Sequence, residues 1–342
     1  MADLRFFERS LALSISEVVD ITGAVLMRKQ YSYPIIEDVA PLDSAGVGDV
    51  TFIENRKYIN LFYNTQASAC FLPKELANRA PNDSVLLITE HPRRCFAKIA
   101  NAFYPKPIVQ PLIDQKATIS SLAIIGRNCR IDSGAVIGHA AEIGEGCWIG
   151  NNAVIGNGVK IGPNTEIGAN SSVSHAEIGG NCLIYPGARI GQPGFGFEMD
   201  SSGPIDMPQL GKVRIGNNVE IGANTTVDRG AGPDTVIGSG TRIDNLVQIG
   251  HNVQLGNNCI VVAHVGIAGS TKIGNNTIIG GQVGIVGHLT IGNNVQIAAK
   301  SGVTRNLSDG AIVGGAPAVP IKEFGRQVAA MKSFGRKTKE KS

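Results

Sequence analysis

From position 119 onward the apolar residues of this chain recur at a fixed interval of six. Ile119, Ile125, Ile131, Ile137, Ile143, Ile149, Ile155, Ile161 and Ile167 keep the interval unbroken, and Val173 follows in step. The phase moves by one residue for Ile178, Ile184 and Ile190, resumes at Ile215, Ile221 and Val227, and again at Ile237. A clean run then extends from Ile243 through Ile249, Ile267 and Ile285 to Val303. Glycine often follows the aliphatic residue, and a small residue such as Ala123, Cys129, Ala135 or Cys147 stands four places after it. Neither an α-helix nor a long strand has this period. Short strands joined by tight corners do, three to an 18-residue coil of a triangular prism. The aliphatic residue fills the interior, the small residue lets the corner close, and Gly, Asn and Asp take the corner angles other residues avoid. The pattern predicts a left-handed parallel β-helix over residues 106–316.

Two stretches break the period and predict loops, GQPGFGFEMDSSGPIDMPQLGKVR after Ile190 and DRGAGPDTV after Val227. Excursions from so regular a scaffold tend to carry function. Residues 1–105 read differently, as a small α/β unit. Ser14 or Ser16 caps a helix ending at Gly23, and strand-like DVTFI, ASACF and SVLLIT alternate with helical segments, one of them PRRCFAKIANAFY. Pro105, Pro107 and Pro111 suggest a linker. After Pro317 and Pro320, residues 317–342 form a helical tail with Phe324, Val328 and Met331 on one face. From Lys322 onward the tail has seven basic and two acidic residues. So short a helix cannot bury its stripe alone, which points to packing against other subunits, although a charged tail can equally be a solvated one.

Composition narrows the class. With 31 basic against 28 acidic residues, the charge does not suggest a nucleic-acid binder. Glycine supplies 43 of 342 residues, nearly twice the usual share of about 7%. The N-terminal MADLRFFERS carries charges and no apolar core, unlike a signal peptide, and no uncharged run approaches a membrane span of ~18 residues. These features predict a soluble, cytoplasmic protein. The six cysteines show neither metal-ligand nor disulfide spacing, and Cys129, Cys147, Cys182 and Cys259 fall in the small-residue slot as core fillers.

The 18-residue coil also locates candidate chemistry. His251 follows Ile249 by two and His288 follows Ile285 by three, on one face and two coils apart, while Gly269 lies one coil above His251. An imidazole suits proton abstraction near neutral pH. A glycine N–H above it suits a developing oxyanion, and Asp244 on the preceding rung is placed to orient the ring. The competing reading is that both histidines are ordinary surface residues, since His139 and His175 share the slot of His251. His264 lies on another face and reads as structural. No histidine pair on one rung accompanies His251, so no metal site is expected.

Taken together, these residues resemble the UDP-3-O-(3-hydroxyacyl)glucosamine N-acyltransferases of lipid A biosynthesis over nearly the whole chain. IEDVAPLDSAGVGDVTFIENRKY and TQASACFLP resemble their uridine-binding domain, and GFGF, VDRGA, IDNLVQIGHNV and IVGH follow in the family's order within the repeats. The resemblance implies that Phe52, Asn55 and Tyr58 hold the uracil, although alone Phe52 reads equally as core and Tyr58 as a helix-face residue. It implies His251 as general base, Asp244 as its orienting carboxylate, Gly269 at the oxyanion hole, His288 near the substrate and Arg305 toward the acyl carrier. It further implies a homotrimer, a UDP-sugar acceptor, and no resident cofactor, the acyl group arriving as acyl-phosphopantetheine on acyl carrier protein. Around Ala299-Lys300-Ser301-Gly302 the chain is small or charged where relatives can carry methionine, which leaves acyl length open. Competing functions are O-acylation of UDP-N-acetylglucosamine, acetyl-CoA-dependent acetylation, and a non-catalytic scaffold binding nucleotide sugars.

Overall fold

The computed structural model describes residues 2–27, 32–81, 84–106, 108–316 and 319–339, so Pro107, Pro317 and the last three residues of the tail lie outside the described residues. The chain divides into two compact units, residues 1–108 and 109–342.

The first unit is a five-stranded sheet flanked by helices. Helix α1 (Ile15–Thr22) starts at Ser14, whose hydroxyl accepts from the Glu17 N–H while Glu17 reaches back to the Ser14 N–H, and it ends on Gly23 at φ 74°. Such reciprocal capping satisfies donors the first turn leaves unpaired. Strands β1 (Val25–Leu26), β2 (Asp38–Val39), β3 (Asp49–Phe52), β4 (Ala69–Leu72) and β5 (Val85–Ile88) lie in the order β1-β5-β4-β3-β2. Only the β1–β5 pair is antiparallel. Helix α2 (Ile59–Asn64) follows β3, and α3 (Pro92–Phe103) buries Cys95, Ile99 and Phe103 against the sheet, in one cluster with Phe71 and Leu87.

The second unit is the prism. Its strands are mostly two residues long and stack into three parallel sheets of ten, nine and eleven strands. Register is carried by the six-residue period: Ile249 pairs with Ile267, Ile267 with Ile285, and Ile285 with Val303. These aliphatic side chains are buried almost completely, each worth ~1.5–3 kcal/mol relative to exposure. The first coil starts at Leu112–Ile113, one repeat before the periodic run read from sequence.

Corners turn through the left-handed region, which suits asparagine: Asn252, Asn258, Asn276 and Asn294 all have φ between 55° and 62°. The small slot is filled as anticipated. Cys129, Cys147, Cys182 and Cys259 are free and buried, and their thiols donate to carbonyls of the next coil. Burial raises the pKa of all four. The first interruption contains a hairpin, Phe197–Asp200 paired with Gly203–Asp206, and the second runs between strands Thr226–Arg229 and Thr235–Ile237. The C-terminal helix α4 (Ile321–Lys339) leaves Phe324 and Met331 exposed. Among the described residues no helix is long and apolar enough to cross a membrane.

Candidate active site

One corner of the prism differs from its neighbour by the absence of side-chain acceptors. After the nine-stranded sheet, a run of corner N–H groups is capped from the coil above. Ser239 N–H donates to Asn257 Oδ1, Asn257 to Asn275, Asn275 to Asn293 and Asn293 to Asp309, all at 2.8–2.9 Å. After the ten-stranded sheet the equivalent residues are His251, Gly269 and Gly287. Glycine has no side chain to accept, and no acceptor is found for the Gly269 N–H among the described residues. Its carbonyl is occupied by the His288 N–H at 3.1 Å.

Gly269 stands directly over the imidazole. A Cβ placed there would lie 2.6 Å from His251 Nε2 and 2.8 Å from Cε1. The ring itself is held from its other edge, where His251 Nδ1 meets Asn252 Oδ1 at 2.8 Å. Asn252 is not free to flip, because its Nδ2 donates to the Pro233 carbonyl while Oδ1 accepts from the Ala231 N–H. An amide oxygen only accepts, so Nδ1 carries a proton, and the neutral ring has its lone pair on Nε2, the atom that faces Gly269. The turn that supplies these partners requires Gly230, since a Cβ there would stand 1.7 Å from the Pro233 carbonyl oxygen.

Both interruptions of the repeat thus converge on His251. Arg229 binds the two ends of the longer loop, donating to the Gln209 and Gly191 carbonyls. That loop packs Gly194 against the imidazole, where a Cβ would lie 2.6 Å from His251 Cβ and 3.0 Å from Cδ2. Asp228 is buried beside the same ring and accepts from Gln192 and Gln248 at 2.7 and 2.8 Å. Burial pushes its pKa above the usual carboxylate range, opposed by the two amides and by the His251 charge.

Asp244, expected from sequence to orient the ring, makes other contacts within this chain. It is exposed, and its carboxylate accepts from Asn245 and from the Ala263 N–H. No hydrogen bond or ion pair joins it to His251 within the chain. Seven residues along the chain cross a corner onto another face, and within the chain it is Asn252 that meets the ring. Two other histidines separate from His251 as well. The His139 N–H is capped by Asn157 Oδ1, so its corner is closed like the others. His175 sits at φ 43°, in the left-handed position of a corner one residue short, and burial followed by Arg229 lowers its pKa. His288 and Arg305 are exposed. Arg305 lines a cleft of about 310 Å³ with Thr304, Leu307 and Gly314.

In the N-terminal unit, Phe52, Asn55 and Tyr58 come together on a cleft of about 490 Å³. Asn55 Oδ1 caps the following turn through the Lys57 N–H, which directs its amide NH2 away from the backbone. Two cations outside the expected triplet join the same cleft. Arg93 lies 6.0 Å from the Phe52 ring centre and Lys57 lies 4.7 Å from that of Tyr58.

A prism of hexapeptide coils with an open histidine corner defines the class, the hexapeptide-repeat acyltransferases, and the transferase hexapeptide family matches five segments between residues 122 and 305. The family of UDP-3-O-(3-hydroxymyristoyl) glucosamine N-acyltransferases, LpxD, matches residues 34–102. A UDP-3-O-acylglucosamine N-acyltransferase from Granulibacter bethesdensis is 46% identical and covers 98% of both chains. A second protein so named, from Legionella pneumophila subsp. pneumophila, is 45% identical with 97% of both covered. The chain belongs to this N-acyltransferase family and is an acyltransferase.

Proposed function

We propose that the chain transfers a 3-hydroxyacyl group from acyl carrier protein to the 2-amine of UDP-3-O-acylglucosamine, in lipid A biosynthesis, as a cytoplasmic homotrimer with His251 as base. The observation that carries this reading is an unpaired N–H on Gly269, the residue whose Cα packs beside Nε2 of His251. An acyl transfer to an amine needs those two groups, an acceptor for a proton and a donor for an oxyanion, at one reacting centre.

The step balances through these atoms. The amine lone pair forms the new C–N bond at the thioester carbon as the carbonyl π pair moves onto oxygen, where the Gly269 N–H receives it. His251 Nε2 takes the proton the amine sheds. Collapse re-forms the carbonyl and breaks the C–S bond, and His251 returns the proton to the departing thiolate of the phosphopantetheine arm. In the N-terminal unit, aromatic Phe52 and Tyr58 with the Asn55 amide suit a uracil ring, and Lys57 and Arg93 suit a diphosphate. Exposed His288 fits the acceptor or donor near the base. Arg305 gives an acidic carrier a cation to dock on.

The test compares native protein with His251→Ala, using 3-hydroxyacyl carrier proteins of several chain lengths and UDP-3-O-acylglucosamine. Transfer lost in a variant that still melts like the native protein is the expected result. Equal transfer by both proteins would remove His251 from the chemistry, and no transfer by native protein at any length would remove this donor and acceptor pair.

A further inference from the structure

Gln209 lies in the longer loop, is 7% exposed, and presents a side-chain oxygen, Oε1, that is buried and has no hydrogen-bond partner. A buried acceptor left unpaired costs ~1–3 kcal/mol, so a protein that keeps one at a reacting centre invites a functional explanation. The orientation of the amide is fixed, because Gln209 Nε2 donates to the Met207 carbonyl at 2.9 Å, and a flip would set two oxygens against each other. Its main-chain carbonyl is fixed as well, accepting from Arg229 Nε at 2.8 Å. The loop therefore aims this oxygen rather than leaving it loose.

The oxygen and the imidazole border one gap. The point where a Gly194 Cβ would stand lies 3.0 Å from Gln209 Oε1 and 3.0 Å from His251 Cδ2, so the two atoms are at most twice that distance apart. Gly194 is what lets the oxygen and the ring edge share that space, since any larger residue there would push them apart. The Nδ1 edge of the ring belongs to Asn252, and the Nε2 atom faces Gly269, so the oxygen addresses the remaining Cδ2 edge.

We infer that Gln209 is a positioning residue whose unpaired amide oxygen stabilises the positively charged His251 ring formed when the base takes a proton. The inference rests on His251 being the base of the proposed reaction. While Nε2 is unprotonated the oxygen gains little from the ring. Once Nε2 is protonated, the positive charge spreads over the ring carbons, and a negative partial charge across the Gly194 gap from Cδ2, out of water, lowers the energy of that state. The unpaired oxygen thus raises the energy of the ground state and lowers that of the charged one. Of the charged groups on the two loops, Asp228 lies beside the ring, accepts from Gln192 and Gln248 and couples to the His251 charge, while Arg229 donates to two loop carbonyls; neither is altered by a change at Gln209.

Titration of His251 by NMR on the full chain tests this without substrate, the His251→Ala spectrum assigning the resonance. Gln209→Met keeps the side-chain length and removes the oxygen, and the His251 pKa is expected to fall by about half to one unit. The acid limb of the kcat/KM profile should move by the same amount, and kcat/KM at neutral pH should fall about tenfold. Gln209→Glu places a full negative charge at the same point and is expected to raise the pKa above native, a shift of opposite sign that a merely disrupted loop would not give. An unchanged His251 pKa in both variants would overturn the inference. Because the titration needs no turnover, it reports on Gln209 even if His251→Ala proves that another group is the base.

Discussion

Two corners of the same prism share backbone, coil height and repeat, and differ in what stands above each N–H. The corner with Ser239, Asn257, Asn275, Asn293 and Asp309 is a closed column in which every side chain caps the coil beneath. The corner with His251, Gly269 and Gly287 has no caps, and loops displaced from the repeat surround it. One column commits its polar groups to coil-to-coil cohesion. The other leaves a donor and a base uncommitted, which is what makes it available for chemistry. The difference is made by a few side chains on an unaltered frame.

The comparison breaks most sharply at the histidines. His251→Ala is expected to reduce kcat/KM by about 10²–10⁴, while His139→Ala, on a capped corner, should leave transfer rates within about twofold. Transplanting a cap is the next test. Gly287→Asn would place an amide oxygen above the Gly269 N–H, as Asn275 does above Asn257, and kcat should fall about 10²-fold in a variant that still folds cooperatively. A Gly287→Asn enzyme as fast as native would show that the open N–H is not used.

The reverse change uncaps the closed column. Asn275→Ala removes the acceptor of the Asn257 N–H and should cost ~0.5–1.5 kcal/mol per lost bond in denaturant unfolding, with transfer unaltered. The smallest effect belongs to Asp228. Its pKa is raised in the folded chain, so its stabilising contribution is fully present below the ordinary carboxylate value and is lost as pH rises through the raised one. Asp228→Asn does not titrate there. The stability of native over variant should therefore be greatest at acidic pH and shrink toward neutrality, read from unfolding midpoints across that window.

How much of this was legible in the sequence follows from periodicity. An 18-residue coil turns sequence distance into height, so Ile249, Ile267 and Ile285 in one sheet, and Gly269 over His251, follow from the spacing of the residues alone. Phe52, Asn55 and Tyr58 line one cleft, but it was the resemblance that singled them out, since their spacing alone left Phe52 as readily in the core. Residues outside the period were not legible. Asn252 fixes the tautomer of His251 only because Pro233 and Ala231 in an aperiodic turn fix Asn252. Asp228 and Gln209 depend on how one loop folds against another, which no interval encodes. Asp244 is near His251 along the chain, but a corner lies between them and their contact depends on more than the interval. His175 looked equivalent because the count from Val173 matched, and a shortened corner changed its place.

The four buried cysteines of the prism have a practical consequence. Thiol reagents attack thiolates that solvent can reach, and Cys129, Cys147, Cys182 and Cys259 offer none in the folded chain. Each becomes reactive only when its own coil opens. Alkylation times at the four positions, separated by mass spectrometry, would therefore read the opening free energy at four heights along the axis. A stack whose coils touch only their neighbours should fray from its ends, and Cys182 and Cys259, deeper in the stack than Cys129, should be the last to be labelled.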